Sequence, residues 1–297
     1  MWVNILATGV NLLLDYVLVF GLWGFPEMGI RGAGIATVLA GVFSLLAYIP
    51  LVCRPLHDGK YHTLRGWRFE KELFLRLLRF GFPSGVQFFL DMSGFTVFIL
   101  LIGHLGTASL AATNIAFNIS TLSFMPMIGS SIAISVLVGQ YLGKNQPEMA
   151  TTSVYSGFHL TFGYMFVIAL AYLFIPELFV LPFAAGADPA GFAEIYRLTV
   201  LLLRFVAIYS VFDTMNLVFA SAIKGAGDTR YVMFAIIITS ALVLVMPTYL
   251  GVMVMGWGVM ASWINVSAYV IVLSIVFLLR FLGGKWKSMR VIETPGY

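Results

Sequence analysis

Charge is scarce in this sequence. Of its 297 residues only 10% are Asp, Glu, Lys or Arg, against about a quarter in ordinary soluble domains, while 60% are hydrophobic. So few charged groups cannot clothe a water-facing surface, and an ordinary soluble enzyme or regulator is excluded. Cysteine is rarer still. Cys53 stands alone, so neither an internal disulfide nor a cysteine-based metal cluster can form, and a buried or inert thiol is expected. The four histidines, His57, His62, His104 and His159, share no metal-ligand spacing with cysteine or carboxylate. No serine has a visible base, and nothing points to an enzyme. Nor is a secretory leader legible: Met1 and Trp2 enter an apolar run with no basic stretch before it. That abrupt start leads to the expectation that N-terminal material is missing.

What the sequence has in abundance is long apolar runs. Eight approach bilayer length, at 2–20, 29–52, 80–103, 111–141, 151–175, 198–223, 231–253 and 258–281. They predict an all-α, polytopic membrane helix bundle of about eight spans. The fourth run is too long for one straight crossing, and Pro126 with Gly129 predicts a kink or an interfacial end. Turn chemistry separates the runs: Gly143, Asn145 and Pro147 close one helix and open the next, and Gly225, Gly227 and Asp228 do the same further on. Lys224 to Thr229 looks superficially like a phosphate loop, but it follows a helix and lacks the lysine-serine/threonine ending.

Charge asymmetry orients the chain. Arg54, Lys60, Lys71, Arg79, Lys144, Lys224, Arg230, Arg280 and Lys285 fall in one set of connections, and only Arg31 and Arg197 in the opposite set. The positive-inside rule places the first set, and with it both termini, in the cytoplasm of a cell carrying this protein in its inner membrane. The net charge of +4 therefore reflects topology, not nucleic-acid binding. The expected division is 1–53 as two helices of one lobe, 54–79 as a basic connector, 80–283 as a complete six-helix lobe and 284–297 as a tail. The connector is partly amphipathic, with Leu73, Phe74, Leu77 and Leu78 among Lys71, Arg76 and Arg79. It reads as an interfacial helix, with a docking site as the alternative. Met28-Gly29-Ile30-Arg31-Gly32-Ala33 is echoed by Met255-Gly256-Trp257-Gly258-Val259-Met260, which fits two parallel repeats with four helices of the first outside this chain.

Two carboxylates interrupt the apolar runs. Asp91 and Asp213 each lie about three helical turns, some 16 Å, from the end of their run that abuts basic residues. A charge at that depth costs about 2.5–3.5 kcal/mol on insertion scales, so both should face a bundle interior or a wet cavity. Their matched depth points to one shared polar site. Polar stripes accompany them: Ser84, Gln87 and Asp91 on the third run, Thr113, Asn114, Phe117, Asn118 and Thr121 on the fourth, and Tyr209, Ser210, Asp213, Thr214 and Asn216 on the sixth. Asp91 and Asp213 are candidate cation or proton ligands. Gln87, Phe88, Asn114, Phe117, Asn118, Tyr209 and Asn216 are candidate substrate contacts, their amides and aromatic faces suiting an organic cation. Any one hydroxyl or amide could equally serve as interhelical glue, and Asp15 could cap a packing contact or take part in transport. Arg204 is the basic exception within the spans.

Phe80-Gly81-Phe82-Pro83-Ser84, Leu110-Ala111-Ala112, Met125-Pro126 through Gly139-Gln140-Tyr141-Leu142-Gly143, and Lys224-Gly225-Ala226-Gly227-Asp228-Thr229 together resemble the MATE family of multidrug and toxic compound extrusion transporters. So do Asn11-Leu12-Leu13-Leu14-Asp15-Tyr16 and Gly32-Ala33-Gly34-Ile35-Ala36-Thr37. The NorM-like branch is nearest. The resemblance implies a two-lobed, twelve-helix antiporter that exchanges Na⁺ or H⁺ for an outgoing organic cation by alternating access, with this chain on helices five to twelve. It carries acidic site positions to Asp91 and Asp213. The family often has glutamate at the first, so aspartate here shortens the reach. No cofactor beyond the coupling ion is implied; the partners are small organic cations and the bilayer, and the oligomeric state is left open. Two alternatives stand beside it: a lipid-linked oligosaccharide flippase of the same superfamily, and a non-transporting membrane fragment.

Overall fold

A computed structural model describes residues 2–53, 69–184 and 189–289, and resolves two compact units, Met1–Phe74 and Leu75–Tyr297. Eight of its helices are long and apolar enough to cross a membrane.

The first unit is a helical hairpin. Helices α1 (Trp2–Phe20) and α2 (Ile30–Val52) pack against each other. Their turn is built on left-handed residues, Gly21 at φ 66° and Gly24 at φ 87° among them. The Met28 amide donates back to the Leu18 carbonyl at 3.0 Å, and at the other end the Tyr48 hydroxyl donates to Asn4 Oδ1 at 2.8 Å. Gly32 sits where the two backbones approach: a Cβ there would lie 2.6 Å from the Leu18 oxygen. Most apolar side chains of the hairpin point outward, Ile30 at 93% exposure, as they would in a lipid solvent. Cys53, expected to be buried or inert, is exposed at the C-terminal cap of α2. Connector residues 54–68 lie outside the described residues.

The second unit is a helical bundle. Its helices are α3 (Lys71–Gly103, whose first turn crosses the unit boundary), α4 (Thr107–Gly143), α5 (Pro147–Phe174), α6 (Pro176–Ala184), α7 (Pro189–Gly225), α8 (Thr229–Thr239), α9 (Met246–Tyr249) and α10 (Val259–Leu282). Helix α7 is central and packs on α4, α5, α6 and α10. Small and hydroxyl residues let these helices close up. Ala112, Ala116, Ala150, Ala222, Thr199, Thr214 and Ser262 are fully buried, and hydroxyls such as Thr214 Oγ1 return a hydrogen bond to the carbonyl one turn earlier, here Ser210 at 3.1 Å. Such residues are what membrane helices use in place of a hydrophobic driving force. At the α4–α7 crossing Gly225 lies directly on the Ser135 backbone, and Gly139 approaches the Gly225 oxygen.

Several boundaries differ from those expected. The third span begins at Lys71, not at residue 80, because the basic, partly apolar segment ahead of it continues the same helical register. Helix α4 runs unbroken through Pro126 over 37 residues, about 56 Å at helical rise, longer than the hydrocarbon core it would cross. The seventh span is interrupted by two π-helical segments, Ser240–Val245 and Leu250–Val254. Pro247 lies between them, and its missing N–H and bulky ring disturb the ladder that the wider turns then re-satisfy. Accordingly the Met246 amide donates to the Ala241 oxygen and the Met255 amide to the Leu250 oxygen, five residues back in each case. Helix α6, unread in the sequence, opens on Pro176 with Glu177 in its first turn, as helix N-termini favour.

Candidate cation and substrate site

Four helices of the second unit, α3, α4, α7 and α10, supply the site. On α3, Ser84, Gln87 and Asp91 are half-buried on one face and Gly94 is buried beyond them. Gly94 is small because the first π segment approaches there: a Cβ would meet Ser240 Oγ at 2.7 Å. On α7, Asp213 and Asn216 are half-buried and Tyr209 is buried. Helix α10 contributes Trp263 and Tyr269, both buried.

These groups converge. The Tyr269 hydroxyl donates to Asp91 Oδ1 at 2.9 Å, and Asn216 Nδ2 donates to Asp213 Oδ1 at 2.7 Å. The two carboxylates lie within electrostatic range of each other, and Tyr269 feels both. Neither pairs with an arginine among the described residues; the cation whose field reaches Asp91 is Lys224, half-buried at the end of α7. Arg204 is exposed. It is nine residues from Asp213, which on a helix is the opposite face.

Aromatic rings bridge the acids. Phe117 stacks on Trp263 at 5.1 Å and 29°, Phe95 meets Phe117 edge-on at 5.8 Å, and Phe95 reaches Tyr269 at 6.3 Å. Tyr209 leans on Trp263 at 6.4 Å. Trp263 Nε1 donates to Thr113 Oγ1 at 3.3 Å. One connected set of rings thus runs from α3 through α4 and α10 to α7.

The candidates read from the sequence distribute as follows. Asp91, Gln87, Asp213, Asn216, Tyr209 and Phe117 all lie on inward or half-buried faces. Phe88 is 68% exposed, and the ring contacts on α3 fall to Phe95 and Phe98 instead. The stripe on α4 divides. Thr113 and Phe117 face the aromatic cluster, whereas Asn114, Asn118 and Thr121 occupy an exposed face, with Asn118 Nδ2 donating to the Asn114 carbonyl at 2.8 Å. Consecutive helical residues are about 100° apart, so five polar positions within nine residues cover more than one face. Tyr269 and Trp263 went unread, since aromatics in an apolar run carry no cost that marks them. The buried serines around them, Ser262, Ser267 and Ser274, were the available signal.

In the first unit Asn11 Nδ2 and Asp15 Oδ1, one turn apart on α1, are buried without a hydrogen-bond partner among the described residues. Asp228, expected to cap α8, instead places its carboxylate on Arg280 at 2.6 Å. Among the described residues no group of three or more His, Cys, Asp or Glu is poised to hold a metal ion.

Such a bundle is that of a polytopic membrane protein. The MatE family model matches residues 83–250, and the chain belongs to that family, one of transporters and not of enzymes. It is 29% identical over 289 residues to a probable multidrug resistance protein NorM of Thermotoga maritima, covering 97% of this chain and 60% of that protein. With the corresponding protein of Brucella suis biovar 1 it shares 30% identity over 234 residues, 77% of this chain and 50% of the relative. The chain therefore spans about half to three-fifths of the length of these relatives. Among solved structures, a MATE protein in the straight conformation superposes with a TM-score of 0.84 at 21% identity, covering 97% of this chain and 63% of that one. A MOP superfamily transporter from Pyrococcus furiosus, whose binding pocket is described as of reverse polarity, gives 0.83 at 22% identity, with the same coverage.

Proposed function

We propose that the polypeptide containing this chain is a cation-coupled multidrug efflux antiporter of the cell's inner membrane, with the basic ends of its helices in the cytoplasm. The observation that carries this reading is the pair Asp91 and Asp213. They lie within range of each other beside one aromatic cluster, and are partnered by Tyr269 and Asn216 rather than by arginine. A half-buried pair of acids with no ion-pair partner among the described residues seeks positive charge. Na⁺ or H⁺ arriving from outside would satisfy it. So would an organic cation, whose apolar body Phe95, Phe117, Tyr209 and Trp263 could cover. Ion and cargo then compete for the same negative charge, and uptake of one releases the other as the transporter alternates between its two open faces. Gln87 and Asn216 serve as secondary polar contacts, and Asn114 and Asn118 as contacts from the exposed face of α4.

Lipid-linked oligosaccharide transport fits less well. It calls for cations around the site to hold pyrophosphate, and Arg204 is exposed while the convergent charges are acids. The test is ion-driven efflux of a fluorescent organic cation from proteoliposomes under imposed Na⁺ or pH gradients. Asp91→Asn and Asp213→Asn are each expected to reduce the rate more than tenfold at unchanged expression. Undiminished efflux from both variants overturns the reading, and whichever gradient supports the wild-type rate names the coupling ion.

A further inference from the structure

At the basic end of the second unit, α3 and α8 flank a groove of about 300 Å³. Arg79, Arg230, Phe82, Pro83, Met233 and Phe234 are among the residues that line it. The order along each helix matters. Arg79 precedes the start of its apolar run and Phe82 and Pro83 follow one turn in; Arg230 opens α8 and Met233 and Phe234 again follow one turn in. Both helices start from the same end of the bundle, so the groove has a cationic mouth at headgroup depth and an apolar floor at acyl depth. Its lining includes no acidic residue. Both arginines are exposed residues, and neither has an ion-pair partner among the described residues. This contrasts with Arg280 nearby, which is spent on Asp228 and on the face of Tyr231 at 4.4 Å.

We propose that this groove is a binding site for an anionic phospholipid of the surrounding leaflet. Arg79 and Arg230 take the phosphate, and one acyl chain lies along Phe82, Pro83, Met233 and Phe234. Guanidinium forks suit phosphate oxygens and retain their charge at any physiological pH. Basic pockets between membrane helices on the cytoplasmic side recognise anionic headgroups in this way. The occupant is a lipid and not a soluble phosphate because the cavity beneath the arginines is apolar, and a bare anion would leave that surface uncovered.

The site is tested by native mass spectrometry of the purified protein in micelles doped equally with phosphatidylglycerol and phosphatidylcholine, a readout independent of transport. The intact protein is expected to retain phosphatidylglycerol preferentially. An Arg79→Gln/Arg230→Gln double variant should lower that retention at least about tenfold, to the phosphatidylcholine level, with its thermal midpoint unchanged because both side chains are exposed and unpaired. A Lys144→Gln/Lys287→Gln control removes equal charge from the same end and should leave retention intact, while Phe82→Ala/Phe234→Ala should reduce it. Equal losses in the two charge variants would reduce the effect to general surface charge and overturn the proposal. Full retention in the phenylalanine variant, or displacement of the lipid by millimolar glycerol phosphate, would also overturn it.

Discussion

Each carboxylate of the site receives one donor from a neighbouring side chain, and the two donors differ in reach. Tyr269 comes from a separate helix and ties α10 to α3, whereas Asn216 sits one turn from Asp213 on the same helix. Tyr269→Phe should therefore loosen the placement of Asp91 and lower the apparent affinity for the coupling ion. A single lost bond to a charged group is worth about 1.5–3 kcal/mol. Asn216→Ala should leave the backbone of α7 untouched. Ion titration of efflux separates these outcomes. Trp263 holds the aromatic cluster together, and Trp263→Ala should cost about 3 kcal/mol in thermal or denaturant unfolding. That is the low end for such truncations, because the unfolded chain in a membrane is also in an apolar solvent and only the lost packing counts. The acids were legible from the residues alone because a carboxylate in an apolar run is expensive and needs a reason. Tyr269 and Trp263 were not, because an aromatic ring in the same run is cheap, and its role depends on what another helix brings against it.

Spans were easier to find than their edges. Apolar length fixes eight crossings, yet α3, α4 and α7 all extend past the runs that announced them, since helix propagation costs little once a register is established. Proline inside a span has different outcomes at two positions. At Pro126 the helix simply continues, whereas around Pro247 the ladder widens twice, and the neighbouring residues carry no pattern that distinguishes the two. Close crossings give a sharper prediction. Gly225→Ala would drive a Cβ into the Ser135 backbone, which no rotamer change relieves, and should cost more than about 2 kcal/mol in folded stability. Gly34→Ala, with open space around the added carbon, should be neutral or slightly stabilising. Thermal midpoints of the two variants in one detergent compare them directly.

Across the whole molecule, most charge lies towards the ends of the spans, with Asp91, Asp213 and Arg204 among the exceptions, and the described ends are braced where helices turn. The Lys224–Thr229 turn is fixed to α10 by Asp228–Arg280, with the two side chains only 12% and 20% exposed, and by Arg280 lying over Tyr231. A pair so placed lies between an exposed bridge and a buried one, so a double-mutant cycle on Asp228→Asn and Arg280→Gln should return a coupling of about 1–2 kcal/mol, falling with added salt. The concentration of basic residues in alternate connections was readable in sequence because the positive-inside rule acts on residue type alone. The Asp228 partnership was not, because the two residues are 52 positions apart and a helix-capping role for Asp228 was locally just as reasonable.

The two widened turns on either side of Pro247 also change how the rest of that span should be analysed. Each inserts a spare residue into the spiral, so the side of the rod that a given position presents jumps there, and a wheel drawn through 229–254 at one constant pitch puts positions beyond residue 240 on the wrong side. Labelling cysteines placed one at a time along this stretch should reveal two phase slips in the reactivity profile. A rod that has already absorbed extra residues can also give them back, rotating its far end about its axis while breaking only a few backbone bonds, which an unbroken α-helix could not do as cheaply.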